Sequence, residues 1–277
     1  MMYTDVQLKS HVRNMAKSTG VEPQSLYTNY MVERFLKRMS LSKYKQHFIL
    51  KGGVLIAYTI GFSARGTMDL DGTISGYPVT VDALRTMMEE IIATDGGDSV
   101  EFEVGAIQAI REEADYGGLR ISLVAYLRNL KIPFKLDAST GDAITPRPVE
   151  FTHELMFTGE TIELLAYNIE TVLSEKYEAI ISRGVQNTRM RDFYDVYMLT
   201  ETQSYDKEIF KDALTRTAET RHSLKSIENA KSIIAEIESD MNMQALWITY
   251  QGKFGYARGV EWDRVIRAVR ELSGNTV

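Results

Sequence analysis

The chain has 277 residues, of which 44% are hydrophobic and 25% are charged, and it contains no cysteine. This length suffices for one large domain or two modest ones, while the lack of cysteine excludes disulfides, thiol nucleophiles, iron–sulfur clusters and cysteine-bound zinc. A net charge of −6 argues against a surface that is basic throughout, as nucleic-acid-binding proteins often have.

The first part of the chain predicts helices and is basic. Residues 5–17 and 24–39 carry apolar side chains at helical spacing, and Pro23 suits a first helical turn. Residues 1–47 hold eight Lys/Arg against three Asp/Glu, whereas residues 48–127 hold five against twelve. A basic N-terminal segment therefore precedes an acidic middle.

The middle of the chain predicts a mixed sheet. Gly52 and Gly53 follow the short apolar run 48–50 and precede an apolar segment that suits a buried helix or strand. Alternating or apolar runs predict strands, and an amphipathic run predicts one helix, TVDALRTMMEEIIA. The predicted strands are DLDGTIS, VEFEVGAIQAI, GLRISLVAYL and IPFKLDAS. Together these elements indicate an α+β unit with a mixed β-sheet, flanked by N-terminal helices.

Beyond residue 150 the pattern predicts helices alone. Residues 161–184 form one long helical pattern that stops at Gly184, and residues 188–202 form another. We therefore expect two domains, 1–150 with the sheet and 151–277 as a C-terminal helical domain. Since neither a signal peptide nor a membrane-length apolar stretch is visible, the expected location is cytoplasmic.

Two acidic residues stand at alternate positions of a predicted strand. Strand alternation places Asp69 and Asp71 on one face, about 6–7 Å apart. Two carboxylates so placed repel one another unless a cation lies between them, and a hard divalent ion is a common solution. The alternative is a solvated polar strand face or a turn.

Two further features share this part of the chain. The Gly52-Gly53 pair at a helix start would let a phosphate approach backbone N–H groups, although a tight strand-to-helix turn is the more common reason for such a pair. Asp137, late in the strand that ends KLDAS, could complete a cluster of three acids, or it could be an ordinary strand-end residue.

Taken jointly, these features resemble the DNA polymerase β-like nucleotidyltransferase superfamily. The segment FILKGGVLIAYTIGFSARGTMDLD resembles the LKGG…RxTxDLD motif of the AbiEii/AbiGii toxin family. The later segment LSEKYEAIISRGVQNTRMRDFYDVYML is similar to the second conserved block of that family. Arg191 stands where a Lys is common, which keeps the positive charge.

The resemblance assigns roles to the acids and glycines. Gly52 and Gly53 would hold the triphosphate of a nucleotide, and Asp69, Asp71 and Asp137 would bind two Mg²⁺ ions. Asp137 would also help to deprotonate the attacking hydroxyl.

The remaining site residues follow from the same motifs. Lys176 would be a phosphate ligand, or else a surface lysine, and Asp192 would be an acid that orients it, or else part of a salt-bridged helix face. Arg65 and Thr67 could contact the nucleotide phosphates or orient the acids, or be ordinary loop residues. Arg183 and Arg189 could reach a phosphate of the nucleotide or of the acceptor.

The implied function is that of a toxin in a type IV toxin–antitoxin or abortive-infection (phage-defence) system. Such an enzyme, of the EC 2.7.7 type, would transfer a nucleotide from an NTP to an RNA acceptor. The NTP would be GTP or a pyrimidine triphosphate. The tRNA 3′ end is the favoured target, and its modification would block translation and growth. A separately encoded antitoxin, not necessarily a direct binder, would be the partner, and the RNA could approach the basic segment 1–47.

Two alternatives remain open from the sequence. One is a nucleotidyltransferase for a small hydroxylated molecule such as an aminoglycoside, which would present acidic residues to a cationic substrate. The other is a non-catalytic nucleotide-binding module.

Overall fold

The computed structural model describes residues 3–67, 69–110 and 118–274. The chain forms two compact units. The first contains Met1–Gly141 and Pro148–Ala166, and the second contains Asp142–Arg147 and Tyr167–Val277. The backbone therefore passes from one unit to the other three times.

The first unit is built on a mixed sheet that has seven strands within the described residues. Its strands are β1 (Phe48–Lys51), β2 (Asp69–Ile74), β3 (Glu101–Ile110), β4 (Gly118–Leu127), β5 (Leu130–Ser139), β6 (Val149–Glu154) and β7 (Thr161–Ala166). They lie in the order β3–β4–β5–β2–β1–β7–β6. The pairs β1–β7 and β2–β5 are parallel and the others antiparallel, which confirms the predicted α+β class.

The first unit also contains the helices α1 (Asp5–Thr19), α2 (Pro23–Leu41), α3 (Gly52–Ile60) and α4 (Val81–Ala93). Helices α2, α3 and α4 contact the sheet, and α1 packs on α2. Phe35 of α2 meets Phe102 and Phe134 of the sheet edge-to-face, with ring centroids 6.0 and 5.9 Å apart. Because Phe134 points to the α2 side, that face of the sheet forms the core.

The opposite side of β5 is polar. Ile132, Phe134 and Leu136 are buried, whereas Lys131 and Lys135, which point to the other side of the strand, are exposed. Cross-strand partners point to the same side, so this polar face is shared by residues of three neighbouring strands. It carries Asp69, Asp71, Arg120, Tyr126, Lys131, Lys135 and Asp137.

The prediction that strands end near residue 150 and that residues 161–184 form one helix is wrong. β7 pairs with β1 on one side and β6 on the other, and its burial alternates along the segment. Leu, Glu and Ala favour a helix in isolation, but pairing with two neighbouring strands overrides that preference. The helix begins only after Asn168. The domain boundary at residue 150 stays a prediction.

The second unit is helical. Within the described residues its helices are α5 (Ile169–Arg183), α6 (Met190–Thr202), α7 (Lys207–Thr220), α8 (Leu224–Glu228), α9 (Ala230–Ser239), α10 (Met241–Lys253) and α11 (Trp262–Ser273). Trp247 is 1% exposed, donates from its indole nitrogen to the Val260 carbonyl at 2.8 Å and packs on Trp262. Both tryptophans are therefore core residues. None of the helices in the described ranges is long and apolar enough to cross a membrane.

Candidate active site

The three predicted metal-binding acids lie on the polar face of the first unit. β2 and β5 run parallel, with Asp71 directly opposite Asp137 and Asp69 opposite Lys135. Asp69 is exposed, and Asp71 and Asp137 are partly exposed. Because residues two apart on a strand share a face, the sheet places Asp69, Asp71 and Asp137 on one face, and their role as a joint metal site stays a prediction.

The glycine turn at the end of β1 lies against Asp71. Gly52 has φ +64°, a conformation that glycine adopts without strain. A Cβ atom on Gly52 would lie 2.3 Å from Asp71 Oδ2, and the Gly53 N–H donates to the same oxygen at 3.3 Å. The turn therefore requires glycine for close approach to a carboxylate, and the structure joins the glycine pair to the acids.

Arg65 and Thr67 pack behind this turn. Arg65 is 2% exposed, and its Nη1 donates to the Gly53 carbonyl at 2.8 Å. A Cβ on Gly53 would lie 2.6 Å from Thr67 Oγ1 and 2.7 Å from Arg65 Nη1. The observed contacts hold the turn in place, and direct contact of Arg65 and Thr67 with a nucleotide stays a prediction.

Asp137 has a partner that the sequence reasoning missed. Arg120 of β4 is its cross-strand neighbour, and its Nε and Nη2 donate to Oδ1 and Oδ2 at 2.7 and 2.6 Å. These hydrogen bonds, the charge of Asp137 and the nearby charges of Asp69 and Asp71 raise the pKa of Arg120 above its ordinary value. The signal in the sequence was a single arginine in the otherwise apolar run GLRISLVAYL.

This pairing bears on whether the acids suit a metal. Carboxylate oxygens are the ligands that Mg²⁺ takes in proteins, so Asp69, Asp71 and Asp137 supply the right chemistry. In the described part of the chain, however, no three His, Asp or Glu side chains are arranged as ligands of one ion. Both oxygens of Asp137 accept from Arg120.

The second unit holds the other predicted group. Lys176 of α5 contacts two acids of α6, with its Nζ 2.6 Å from Asp192 Oδ1 and 2.9 Å from Asp195 Oδ2. The Asp192 and Asp195 side chains are 3% and 0% exposed, and Lys176 is 16% exposed. One lysine thus bridges two buried carboxylates, and Asp195 is a partner that the motif did not point to.

The predicted arginines of this unit differ in their contacts. Arg189 Nε lies 3.2 Å from Asp192 Oδ2 as an ion pair without hydrogen-bond geometry. Arg183 donates to the Ala179 carbonyl of its own helix at 3.1 Å. The Arg191 guanidinium lies 5.1 Å from the ring centre of Phe254. Among the contacts seen for these arginines in the described residues, that of Arg189 reaches the Lys176 cluster, which consists of Lys176, Asp192 and Asp195.

Buried asparagines set the positions of these helices. Asn168 accepts from the Thr171 N–H at 2.8 Å as the N-cap of α5, and its amide donates to the Thr145 carbonyl at 2.7 Å. Asn187 is fully buried and accepts from the Arg189 N–H at 2.8 Å just before α6. Each asparagine fixes the start of a helix that carries part of the Lys176 cluster.

The basic segment 1–47 is largely neutralised by nearby acids. Arg34 and Arg38 are buried, and Arg38 binds Asp98 through two hydrogen bonds of 3.1 and 2.8 Å. Four lysines form ion pairs: Lys9 with Asp5, Lys37 with Glu160, Lys43 with Glu90 and Lys45 with Glu163. The expectation of an RNA-binding surface here therefore gains no support from the structure.

A mixed sheet that places three carboxylates beside a glycine turn is the arrangement expected of a nucleotidyltransferase. Residues 34–268 match the family described as nucleotidyl transferase AbiEii toxin, Type IV TA (toxin–antitoxin) system. Because this match spans most of the chain, the protein belongs to that family, which confirms the resemblance. Membership makes it a nucleotidyltransferase toxin of a system with a separate antitoxin.

Two solved structures that align with this chain share little sequence with it. JHP933 from Helicobacter pylori aligns with a TM-score of 0.49 and 15% identity, over 92% of this chain and 94% of its own. An antigenic nucleotidyltransferase-like protein from Paracoccidioides brasiliensis aligns with a TM-score of 0.43 and 16% identity, over 71% and 90%. No curated protein matches the sequence significantly.

Proposed function

We propose that the protein transfers a nucleotide from an NTP to a hydroxyl of an RNA, with the tRNA 3′ end as the favoured acceptor. The observation that carries this proposal is the alignment of Asp71 with Asp137 on adjacent strands, with the Gly52–Gly53 turn against Asp71. Modification of an end that must be aminoacylated would stop translation, which accounts for growth arrest in infected cells.

The acids and the turn have distinct roles in this proposal. Asp69, Asp71 and Asp137 would hold Mg²⁺, which supplies charge stabilisation for the attacking and leaving oxygens of an in-line displacement. The turn at Gly52 and Gly53 would hold the triphosphate through its backbone, and the lack of a Cβ at both residues leaves room for Asp71, Thr67 and Arg65 to pack against it. Asp137 would accept the proton of the acceptor hydroxyl once its carboxylate is released from Arg120.

The Lys176 cluster is proposed to serve the nucleotide phosphates. A lysine ammonium is a compact charge that suits a triphosphate. Asp192 and Asp195, both buried, contact the Lys176 ammonium at 2.6 and 2.9 Å and fix its position. We assign the phosphate contact to Lys176 and the orienting role to Asp192 and Asp195, with GTP or a pyrimidine triphosphate as nucleotide.

The acceptor site is proposed on the polar face of the sheet. Lys131 and Lys135 are exposed on β5, in line with Asp137, and neither forms an ion pair within the described ranges. Lys131 lies 5.6 Å from the ring centre of Tyr126 on the same face. Cations beside an aromatic ring suit a single-stranded RNA end, where phosphates and bases are both accessible.

The test is labelling of bulk tRNA by the purified protein with Mg²⁺ and each labelled NTP in turn. We expect Asp69→Ala to lower labelling roughly 100-fold or more, because a lost metal ligand removes several kcal/mol of transition-state stabilisation. Asp212→Ala, on the exposed side of α7, is the matched control and should label normally. Labelling of an aminoglycoside but no RNA, or nucleotide binding without any product, would contradict the proposal.

A further inference from the structure

Both carboxylate oxygens of Asp137 are engaged by one arginine. Arg120 takes both through parallel hydrogen bonds of 2.7 and 2.6 Å. Such bidentate pairs are the stronger kind of ion pair because their geometry is fixed at two points. The arginine side chain is 43% exposed and the aspartate side chain 21%, so the pair can open without unfolding of the sheet.

The cross-strand register explains why this contact competes with a cation. Asp71, Asp137 and Arg120 are consecutive neighbours across β2, β5 and β4. A divalent ion held by Asp71 and Asp137 would occupy the side of Asp137 that faces the acids. The Arg120 guanidinium already compensates the negative charge of Asp137, and two positive charges next to one carboxylate repel each other.

We propose that Arg120 is a positioning residue that competes with the divalent cation for Asp137. It keeps the carboxylate in place on the sheet, and it must release Asp137 before three acids can ligate metal. The inference rests on the proposed function only in taking these acids as the metal site. Its immediate consequence is that the free protein binds metal less tightly than the same acids would without Arg120.

The experiment titrates the full-length protein with Mn²⁺ alone and follows the free ion by electron paramagnetic resonance. We expect Arg120→Gln to tighten Mn²⁺ binding about fivefold, which corresponds to ~1 kcal/mol at 25 °C. Lys135→Gln is the matched control, because it removes one positive charge from the same face, beside Asp69 rather than Asp137. It should tighten binding clearly less.

A second comparison isolates the role of Asp137. In an Asp137→Asn background, Arg120→Gln should tighten Mn²⁺ binding no more than Lys135→Gln does. Equal effects of Arg120→Gln and Lys135→Gln in the native background, or weaker binding by Arg120→Gln, would overturn the inference.

Failure of the inference and of the proposed function are distinguishable. If wild-type protein binds Mn²⁺ and Asp69→Asn abolishes binding, the metal site stands whatever Arg120 does. If no variant binds Mn²⁺, both the site and the competition are wrong. A merely structural role for Arg120 would lower stability but would not tighten Mn²⁺ binding.

Discussion

At Gly53 the backbone lies so close to its neighbours that no larger residue fits. The space for a Cβ is taken by Thr67 Oγ1 at 2.6 Å and Arg65 Nη1 at 2.7 Å. Arg65 is buried and bound to the Gly53 carbonyl, so it has little freedom to move away. A methyl group here would displace the turn relative to Asp71.

We therefore expect Gly53→Ala to lower nucleotide transfer about 100-fold, the loss that a displacement of about 1 Å at a reacting centre produces. Gly66→Ala, in the loop between α3 and β2, is the control, since its Cβ would meet nothing within 4 Å. Transfer is measured with labelled NTP, and circular dichroism verifies folding. Full activity of Gly53→Ala would show that the close packing has no functional role.

Single residues of the site differ in how far the sequence predicts them. The local sequence pattern predicts Asp69, Asp71 and the two glycines, because strand alternation and a turn involve neighbours along the chain. Arg120 does not, since its contact with Asp137 depends on the register of the β4–β5 hairpin. Predicting the contact of Asp195 with Lys176 likewise requires knowledge of how α5 and α6 pack.

At the scale of elements, α5 and α6 are joined by charge as well as apolar packing. Lys176 compensates two aspartates that are almost completely inaccessible to water. Breaking a buried ion pair on one side leaves an uncompensated charge, which costs more than the pair itself contributes. Lys176 therefore has a structural role whatever it does for a nucleotide.

We expect Lys176→Met to lower the free energy of unfolding by about 3–5 kcal/mol, measured by urea titration. Lys211→Met on the exposed side of α7 should change it by less than about 0.5 kcal/mol. If Lys176→Met is as stable as wild type, the two carboxylates are not held by Lys176. Loss of activity in Lys176 variants is informative about phosphate binding only after this comparison.

The sequence pattern predicts a helix where the structure has strand β7. Its residues suit a helix, and only the presence of β1 and β6 on either side makes it a strand. The neighbouring helix start at Asn168 is a local signal, an N-cap before an amphipathic run. Local signals thus indicate where α5 can begin, but they do not predict pairing with a distant strand.

For the whole molecule, net charge is a poor guide to where RNA could bind. The basic segment 1–47 has acidic partners for most of its cations, while Lys131 and Lys135 on the polar face lack ion-pair partners in the described part of the chain. A lysine ammonium that forms no ion pair within the protein can bind a phosphate group. The distribution of ion pairs, not the count of lysines, therefore favours the polar face.

The double variant Lys131→Glu/Lys135→Glu should weaken tRNA binding and reduce its salt dependence. The slope of log K against log salt should fall by about one to two, because each phosphate contact contributes about 0.7–0.9. Lys43→Glu/Lys45→Glu makes the same charge change in the basic segment and should leave the slope nearly unchanged. The reverse outcome, measured by fluorescence anisotropy at several salt concentrations, would place the RNA on the basic segment.

The strand order has a consequence for when the protein can become toxic during its synthesis. β1, which leads into the glycine turn, lies between β2 and β7, and β7 is translated long after β1. At about 5–20 residues per second, the ribosome needs several seconds to supply this strand. A chain that stops before residue 161 would leave β1 without one neighbour and the sheet with an unprotected edge. Interrupted translation should therefore yield harmless, aggregation-prone fragments, and the cell would face an active toxin only after the sheet is complete.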